Sequence, residues 1–180
     1  TITPATTVTG AITPTGGVAA AGGFTASARN YHVGGTSAQL AADGNDSTPV
    51  NTETYIGEVF VAANCTLTGI AVFNGSNVTD NVIVALADST GAVVAQSIST
   101  AGSGTDAYQR VPFTSALTLK GAATYYILEF VDNTTARINT HTFGNFGAAK
   151  QIGQVYSTGF TAITPPTTFT TGLAPIASLY

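Results

Sequence analysis

Charged side chains are scarce in this sequence of 180 residues. Asp, Glu, Lys and Arg make up 8% of it, whereas an ordinary soluble domain carries about 25%. Nine acidic and five basic residues give a formal net charge of −4, and the basic residues are scattered along the chain. A nucleic-acid-binding protein concentrates its basic residues on one face or element, so the sequence predicts no nucleic-acid partner.

Residues that build disulfides and metal sites are also nearly missing. The single cysteine, Cys65, cannot form an internal disulfide. The two histidines, His32 and His141, lack the spacing of converging metal ligands. The stretch DGND at residues 43–46 has the oxygen density of a calcium loop without the order of an EF-hand, so we interpret it as a turn. We expect neither a metal nor a cofactor.

Long apolar runs are absent, although apolar residues are not. No segment approaches the ~20 apolar residues that span a bilayer, so no membrane association is expected. Hydrophobic residues nevertheless make up 44% of the chain, and the mean hydropathy is +0.28. Disordered chains combine low hydrophobicity with high charge, so the body of this chain is predicted to fold.

Catalytic motifs are not found either. No serine lies in a G-x-S-x-G elbow. Glu58 and Glu129 are the carboxylates that would form a glycosidase pair, a chemistry that needs one on each side of the sugar bond, but each lies in its own strand pattern. We therefore predict a protein that is not an enzyme.

Short β-branched and aromatic runs separated by Gly, Asn and Asp are plentiful, and they predict an all-β sandwich. In YYILEF, the alternation places Tyr126, Leu128 and Phe130 on one face, which we assign to the core. Pro112 predicts an edge strand or a bulge, and Gly91 predicts a hairpin turn with positive φ. The predicted strands cover residues 53–62, 66–73, 81–88, 92–99, 108–113, 123–131 and 135–143.

Both ends differ from this body. Residues 1–28, which begin TITPATTVTGAITPTGG, contain no charge before Arg29 and no hydrophobic period, and the triplet Ile-Thr-Pro recurs at residues 2–4, 12–14 and 163–165. The sequence therefore predicts an extended N-terminal arm over 1–28, a β-sandwich over 29–160 and an extended C-terminal segment over 161–180.

An extended arm that is neutral and weakly apolar suits a protein partner. Ordering it costs about 1 to 2 kcal/mol per residue in backbone entropy, and a neighbouring sheet edge would supply the missing hydrogen bonds. A flexible linker is the alternative interpretation. The side chains expected to bind the partner are Ile2, Pro4, Val8, Ile12, Pro14, Phe169 and Ile176.

A family resemblance follows from TYIGEVFVAANCTLTGIAVFNGS, NVIVALADSTGAVVAQS, GTDAYQRVPF and ATYYILEF, together with the closing ITPPTTF and PIASLY. This pattern resembles the single jelly-roll structural proteins of tailed bacteriophages, such as capsid decoration (cement) proteins and head or tail appendages. The resemblance implies a non-enzymatic virion protein, located on the particle surface. It also implies a homotrimer whose terminal extensions reach over the major capsid protein or another virion protein.

Two other functions remain open. Sandwich modules also bind carbohydrates or receptors through exposed aromatic residues, and this chain has seven tyrosines but no tryptophan. Core packing would explain Tyr55, Tyr125 and Tyr126, which lie in strand patterns. The second is that of a donor-strand subunit of an extracellular fibre, because such a subunit also uses an extended terminus.

Overall fold

A computed structural model describes residues 26–27, 31–32, 44–47, 53–141, 148–152, 159–168 and 174–180. No helix occurs among these residues, and the all-β prediction is confirmed. The strands are β1 (Ala26–Ser27), β2 (Tyr31–His32), β3 (Gly44–Ser47), β4 (Glu53–Val61), β5 (Cys65–Phe73), β6 (Asn81–Asp88), β7 (Val93–Gln96), β8 (Thr100–Ala101), β9 (Tyr108–Leu119), β10 (Ala123–Val131), β11 (Ile138–His141), β12 (Ala148–Ile152), β13 (Ala174–Pro175) and β14 (Ala177–Leu179).

Two main sheets form the sandwich. In the front sheet, β9 pairs with one edge of β5, while β1 and β14 share the other edge and β2 follows β14. The back sheet has the order β12-β4-β10-β6-β7, with β8 also beside β6. A small third sheet has the order β13-β11-β3. All of these pairings are antiparallel except that of β1 with β5.

The main core lies between the front and back sheets. Each sheet points its alternate side chains toward the other, as expected of half-buried strands. Fully buried aliphatic side chains fill the space, among them Val61, Leu67, Ile70, Val72, Val84, Leu86, Val111, Ile127 and Leu179. Cys65 is buried in the same cluster and forms no disulfide.

Part of the outer face of the back sheet is buried as well. Leu128 and Phe130 on β10 are fully buried in a second cluster that includes Phe160 and Ile163. The rings of Phe130 and Phe160 meet edge to face with centroids 6.4 Å apart. The backbone N–H of Ile163 donates to the carbonyl of Gly91 at 2.8 Å. Residues 159–163 therefore cover this part of the back sheet from outside.

Several local predictions are confirmed. The strands β6 and β10 begin and end at the predicted residues. Gly91 has a φ of +90° in the turn between β6 and β7. Pro112 lies in β9, whose ladder pairs with β5 and shifts register between Leu67 and Gly69, so the strand has both the edge position and the bulge.

Other local predictions were wrong. Residues 44–47 form β3, which pairs with β11, although DGND was interpreted as a turn. The strand β12 was not predicted, yet it pairs with β4 over five residues. Its sequence, AAKQI, contains a single β-branched residue, Ile152, rather than the run of β-branched and aromatic residues that marks a strand.

The ends of the sandwich also differ from the predicted boundaries. Residues 26–27, expected in the N-terminal arm, pair with β5. Within the C-terminal segment expected to be extended, β13 pairs with β11 and β14 pairs with β5 and β2. The sandwich therefore includes strands from both ends of the described chain, because these short strands complete edges of β5 and β11 that would otherwise lack hydrogen bonds.

Candidate functional site

A carboxyl group, that of Glu129, is buried in the core of the described structure. Glu129 is on β10, with Tyr55 of β4 opposite it on one side and Val84 of β6 on the other. Strand alternation puts its side chain on the same face as Ile127, toward the front sheet. Only 1% of Glu129 is exposed. The inter-sheet core therefore lies on the face of β10 that was not assigned to it from the sequence.

Glu129 lines a small cavity at one end of the sandwich. The cavity has a volume of about 10 Å³, which is room for roughly one water molecule. Besides Glu129, the polar residues in its wall are Asn74, Asn77, Asp80 and Arg137. Oε1 of Glu129 is buried and has no hydrogen-bond partner among the described residues.

Three connecting segments contribute residues to the cavity wall: residues 74–80 after β5, residues 102–107 after β8 and residues 132–137 after β10. The carbonyl of Arg137 accepts the N–H of Gly75 at 2.9 Å, and the N–H of Arg137 donates to the carbonyl of Asn77 at 2.8 Å. The N–H of Asp106 donates to the carbonyl of Gly75 at 3.0 Å. The three segments are therefore held together by their backbones.

Buried amide side chains reinforce this end of the sandwich. Asn74 Nδ2 donates to Gln109 Oε1 at 2.9 Å and to the carbonyl of Ser103 at 2.6 Å. Gln109 Nε2 donates to the carbonyl of Ala101 at 2.8 Å. Asn139 Nδ2 donates to the carbonyl of Asn74 at 2.9 Å. Since buried polar groups must be paired to avoid a desolvation cost, this network fixes the loops at one geometry.

Carboxylates at the rim act as loop clamps. Asp80 Oδ2 accepts the backbone N–H groups of Thr135 at 3.0 Å and Ala136 at 2.5 Å. Asp46 Oδ2 accepts the hydroxyl of Ser76 at 2.6 Å and lies 3.9 Å from Nε of Arg137. Both carboxylates thus serve backbone and side-chain donors of the protein itself.

Burial determines the ionisation of this region. Desolvation raises the pKa of Glu129 from 4.5 to about 8, because the charged form loses its hydration. The pKa of Tyr55 rises to about 12, chiefly through burial and then through the charges of Glu53 and Glu129. At neutral pH, Glu129 is therefore a neutral carboxylic acid and Tyr55 a neutral phenol.

The arrangement does not fit the chemistries considered from the sequence. Glu58 pairs with Tyr126 in register, so it lies on the outer face of the back sheet while Glu129 lies on the inner face. The two carboxylates cannot flank one sugar bond. Among the described residues, no three His, Cys, Asp or Glu side chains converge on a point that could hold a metal ion. The side chains of His32 and His141 lie outside the described set.

The predicted partner-binding residues divide into two groups. Ile2, Pro4, Val8, Ile12, Pro14 and Phe169 lie outside the described residues. Ile176 is described, and it is fully buried within the chain. Its N–H donates to Asn139 and its carbonyl accepts from Phe73 at 2.9 Å. Ile176 is thus a residue of the protein's own core rather than a contact offered to a partner, because it joins β13 to β14 at the point where the chain passes between two sheets.

The outer surface is polar but nearly uncharged. Among the residues whose burial is described, seventeen exposed residues are Ser or Thr. Five exposed residues are charged, namely Asp46, Glu58, Asp106, Arg110 and Lys120. Large apolar side chains also reach solvent: Phe60 is 60% exposed and Ile98 is 68% exposed.

The aromatic residues expected in strands are mostly internal. Tyr55, Tyr125 and Tyr126 are each at least 92% buried, which confirms that packing explains them. The hydroxyl of Tyr125 donates to the carbonyl of Lys120 at 3.1 Å. Phe60, which the sequence did not single out, is instead the large aromatic side chain held in solvent.

No protein-family model matches the chain, and neither the curated proteins nor the solved structures include a significant match. The described residues contain no helix that is long and apolar enough to cross a membrane.

The sequence did not predict the polar cluster formed by Asn74, Asp80, Gln109, Glu129, Arg137 and Asn139. Its members come from four separate stretches, and Asn and Asp between strands are ordinary turn residues. The one available signal was Glu129 itself, an acid inside the otherwise apolar run YYILEFV. An acid at such a position is expected on the solvent side of a strand, and its burial becomes apparent only from the three-dimensional packing.

Proposed function

We propose that this protein is a non-enzymatic structural subunit that packs against other protein subunits in a larger assembly. The assembly suggested by the resemblance is the surface of a tailed-bacteriophage virion, where the chain would act as a capsid decoration or appendage protein. The same proposal includes a jelly-roll arrangement of the sandwich, a homotrimer and contact with the major capsid protein or another virion protein.

The observation that carries this proposal is the combination of low charge and exposed apolar side chains on rigid strands. Protein–protein contacts favour surfaces from which few charges must be desolvated. Phe60 lies on β4 within the back sheet, where its backbone pairs with Thr124 of β10. Because the strand backbone is already ordered, burying Phe60 against a partner adds no further backbone entropy cost.

The charge distribution supports protein partners over polyanions. Of the exposed charged residues described, Arg110 and Lys120 are the basic ones, and they lie ten residues apart on and just after β9. Arg110 is already engaged with the ring of Tyr180, 4.9 Å from its centroid. Two separated cations do not make the continuous basic surface that phosphate backbones require.

Fewer residues at the chain ends are now proposed to bind a partner. We no longer assign partner binding to Ile176, because its side chain is buried inside the sandwich. We retain the partner-binding role for Ile2, Pro4, Val8, Ile12, Pro14 and Phe169, on the grounds of their sequence alone. Capture of a neighbouring subunit would then depend on the N-terminal residues together with exposed side chains such as Phe60.

Native mass tests the proposal. The purified chain should elute as a multiple of 18.1 kDa, threefold for a trimer, when measured by light scattering or native mass spectrometry. Phe60→Ser should reduce that mass or weaken capture on capsids without changing thermal stability. Thr68→Ser, on the exposed face of the front sheet, is the matched control. A monomer that never binds capsids and is unaffected by Phe60→Ser would refute the proposal.

A carbohydrate-binding module is the second candidate, and the exposure of Phe60 also favours it. Sugar rings stack on exposed aromatic faces, and Glu58 is exposed on the same face of β4 as an acceptor for sugar hydroxyls. Saturable retention on a polysaccharide that Phe60→Ser abolishes would support this function. The same retention by a chain that stays monomeric would replace the assembly proposal.

A further inference from the structure

The buried carboxyl of Glu129 has no structural counter-charge of its own. Its Oε1 lacks a hydrogen-bond partner among the described residues, and its neighbours across β10 are Tyr55 and Val84. An ionised carboxylate in that position would lose its hydration with no partner in return, which is among the most unfavourable arrangements in a protein interior. The folded sandwich therefore tolerates Glu129 only in its neutral form.

The groups around Glu129 do not reverse this preference. The titratable and charged groups facing it are Tyr55 and Glu53 on β4, and Asp80 and Arg137 at the cavity wall. Tyr55 is neutral, and Glu53 and Asp80 are acids, so none of the three supplies a positive counter-charge. Arg137 is directed toward Asp46, its partner at 3.9 Å. The inward positions of β6 beside Glu129 are Val82, Val84 and Leu86, which provide no charge.

An ionised Glu129 would have to be hydrated from the cavity that it lines. It has room for roughly one water molecule, far less than a carboxylate needs. Gly102 is packed so closely that a Cβ on it would lie 2.6 Å from the carbonyl oxygen of Val78 and 2.8 Å from that of Asp80. On this side, the cavity can widen to admit more water if residues 102–107 move away from residues 74–80.

We propose that Glu129 is a proton-controlled latch: its protonated carboxyl keeps the three connecting segments closed, and loss of the proton opens this end of the sandwich. The latch is a property of the sandwich itself and does not depend on the assembly proposed above. It would let mildly alkaline conditions loosen one end of the subunit while both sheets remain paired.

The direction of the pH effect follows from linkage. The pKa of Glu129 is about 8 in the folded protein and 4.5 as the ordinary value. Between these two values the folded state binds the proton more strongly than the unfolded state, so stability falls as the pH rises. Its contribution is complete below about pH 4.5 and is lost by the time the pH has passed through about 8. The equilibrium constant for folding should fall about tenfold per pH unit within this window.

The test compares the full chain with Glu129→Gln and with Glu58→Gln. Glu58 is the matched control, because it is on the opposite face of the same sheet and exposed. Urea unfolding is measured from pH 5 to pH 9. The wild type and Glu58→Gln should lose folding stability across this range, whereas Glu129→Gln should show a much flatter profile. Equal slopes for the wild type and Glu129→Gln would overturn the proposal.

A second measurement keeps the proposal testable if Glu129→Gln does not fold. Infrared spectra of the wild type should contain the carbonyl band of a protonated carboxylic acid at pH 6, and this band should vanish as the pH approaches 9. Amide hydrogen exchange should accelerate in residues 74–80 and 102–107 over the same interval, beyond the intrinsic effect of pH. A carboxylate that is already ionised at pH 6, or stability that rises with millimolar Ca²⁺ only while Glu129 is present, would overturn it.

Discussion

Replacing Ile176 by alanine tests whether the C-terminal strand belongs to the core or acts as a contact for a partner. The side chain is fully buried, and both backbone groups of the residue are hydrogen-bonded to the rest of the sandwich. Removing three carbon atoms loses about 0.8 kcal/mol for each buried methylene-sized group. The cavity that remains adds to this loss, so buried Ile→Ala substitutions cost about 2 to 5 kcal/mol.

The expected change is large enough for routine measurement. A loss of about 3 kcal/mol would lower the melting temperature of a domain of this size by roughly 6 to 12 °C. Ile98→Ala is the matched control, because it removes the same atoms from a side chain that is 68% exposed. Exposed substitutions usually change stability by less than about 0.5 kcal/mol. Circular dichroism during heating or urea unfolding measures both variants.

The outcome separates two roles for the C-terminal segment. If Ile176→Ala were as stable as Ile98→Ala, and instead failed to join an assembly, the segment would act as a partner contact and the core assignment would be refuted. If Ile176→Ala is strongly destabilised while Ile98→Ala is stable but assembles poorly, the buried isoleucine belongs to the fold and the exposed one to the interface.

Two further substitutions probe the hairpin and the amide network. Gly91→Ala should destabilise the protein by more than Gly104→Ala, because both residues have positive φ but a Cβ at Gly91 would also clash with the carbonyl oxygen of Ile163. Thermal unfolding should show a cost of about 1 to 2 kcal/mol at Gly104, where the positive φ is the only strain. Equal costs for the two variants would contradict the close approach at Gly91. Asn74→Ala should cost about 1 to 3 kcal/mol because it leaves buried hydrogen-bonding groups unsatisfied, whereas Asn133→Ala, at an exposed position, should be nearly neutral by urea unfolding; similar effects at both positions would contradict the network.

The strands were predictable where one sequence run contained all the information. The limits of β6 and β10 follow from β-branched and aromatic residues bounded by turn residues. The turn at Gly91 and the edge position of Pro112 follow from backbone chemistry that operates within a few residues. These features depend on local rules, so a distant part of the chain cannot reverse them.

The orientation of β10 could not be predicted in this way. Its two faces, one with Leu128 and the other with Ile127, are both apolar, so alternation alone does not say which faces the other sheet. The decision depends on Phe160 and Ile163, which cover one face from about thirty residues away in the chain. Glu129 then follows its neighbours into the inter-sheet core, and with it the candidate site.

The C-terminal strands show why composition is an incomplete guide to extended ends. The segment containing Ile176 shares its Thr, Pro and isolated apolar residues with the N-terminal 28 residues, and that composition predicted an arm at each end. In the structure, β14 completes an edge of β5 that lies about 110 residues earlier. Neutral, weakly apolar sequence therefore indicates a segment that needs a pairing edge, and such an edge can belong to the same chain. The surface formed by the described residues is nearly uncharged. On that ground we propose that the N-terminal residues pair with such an edge on a neighbouring subunit.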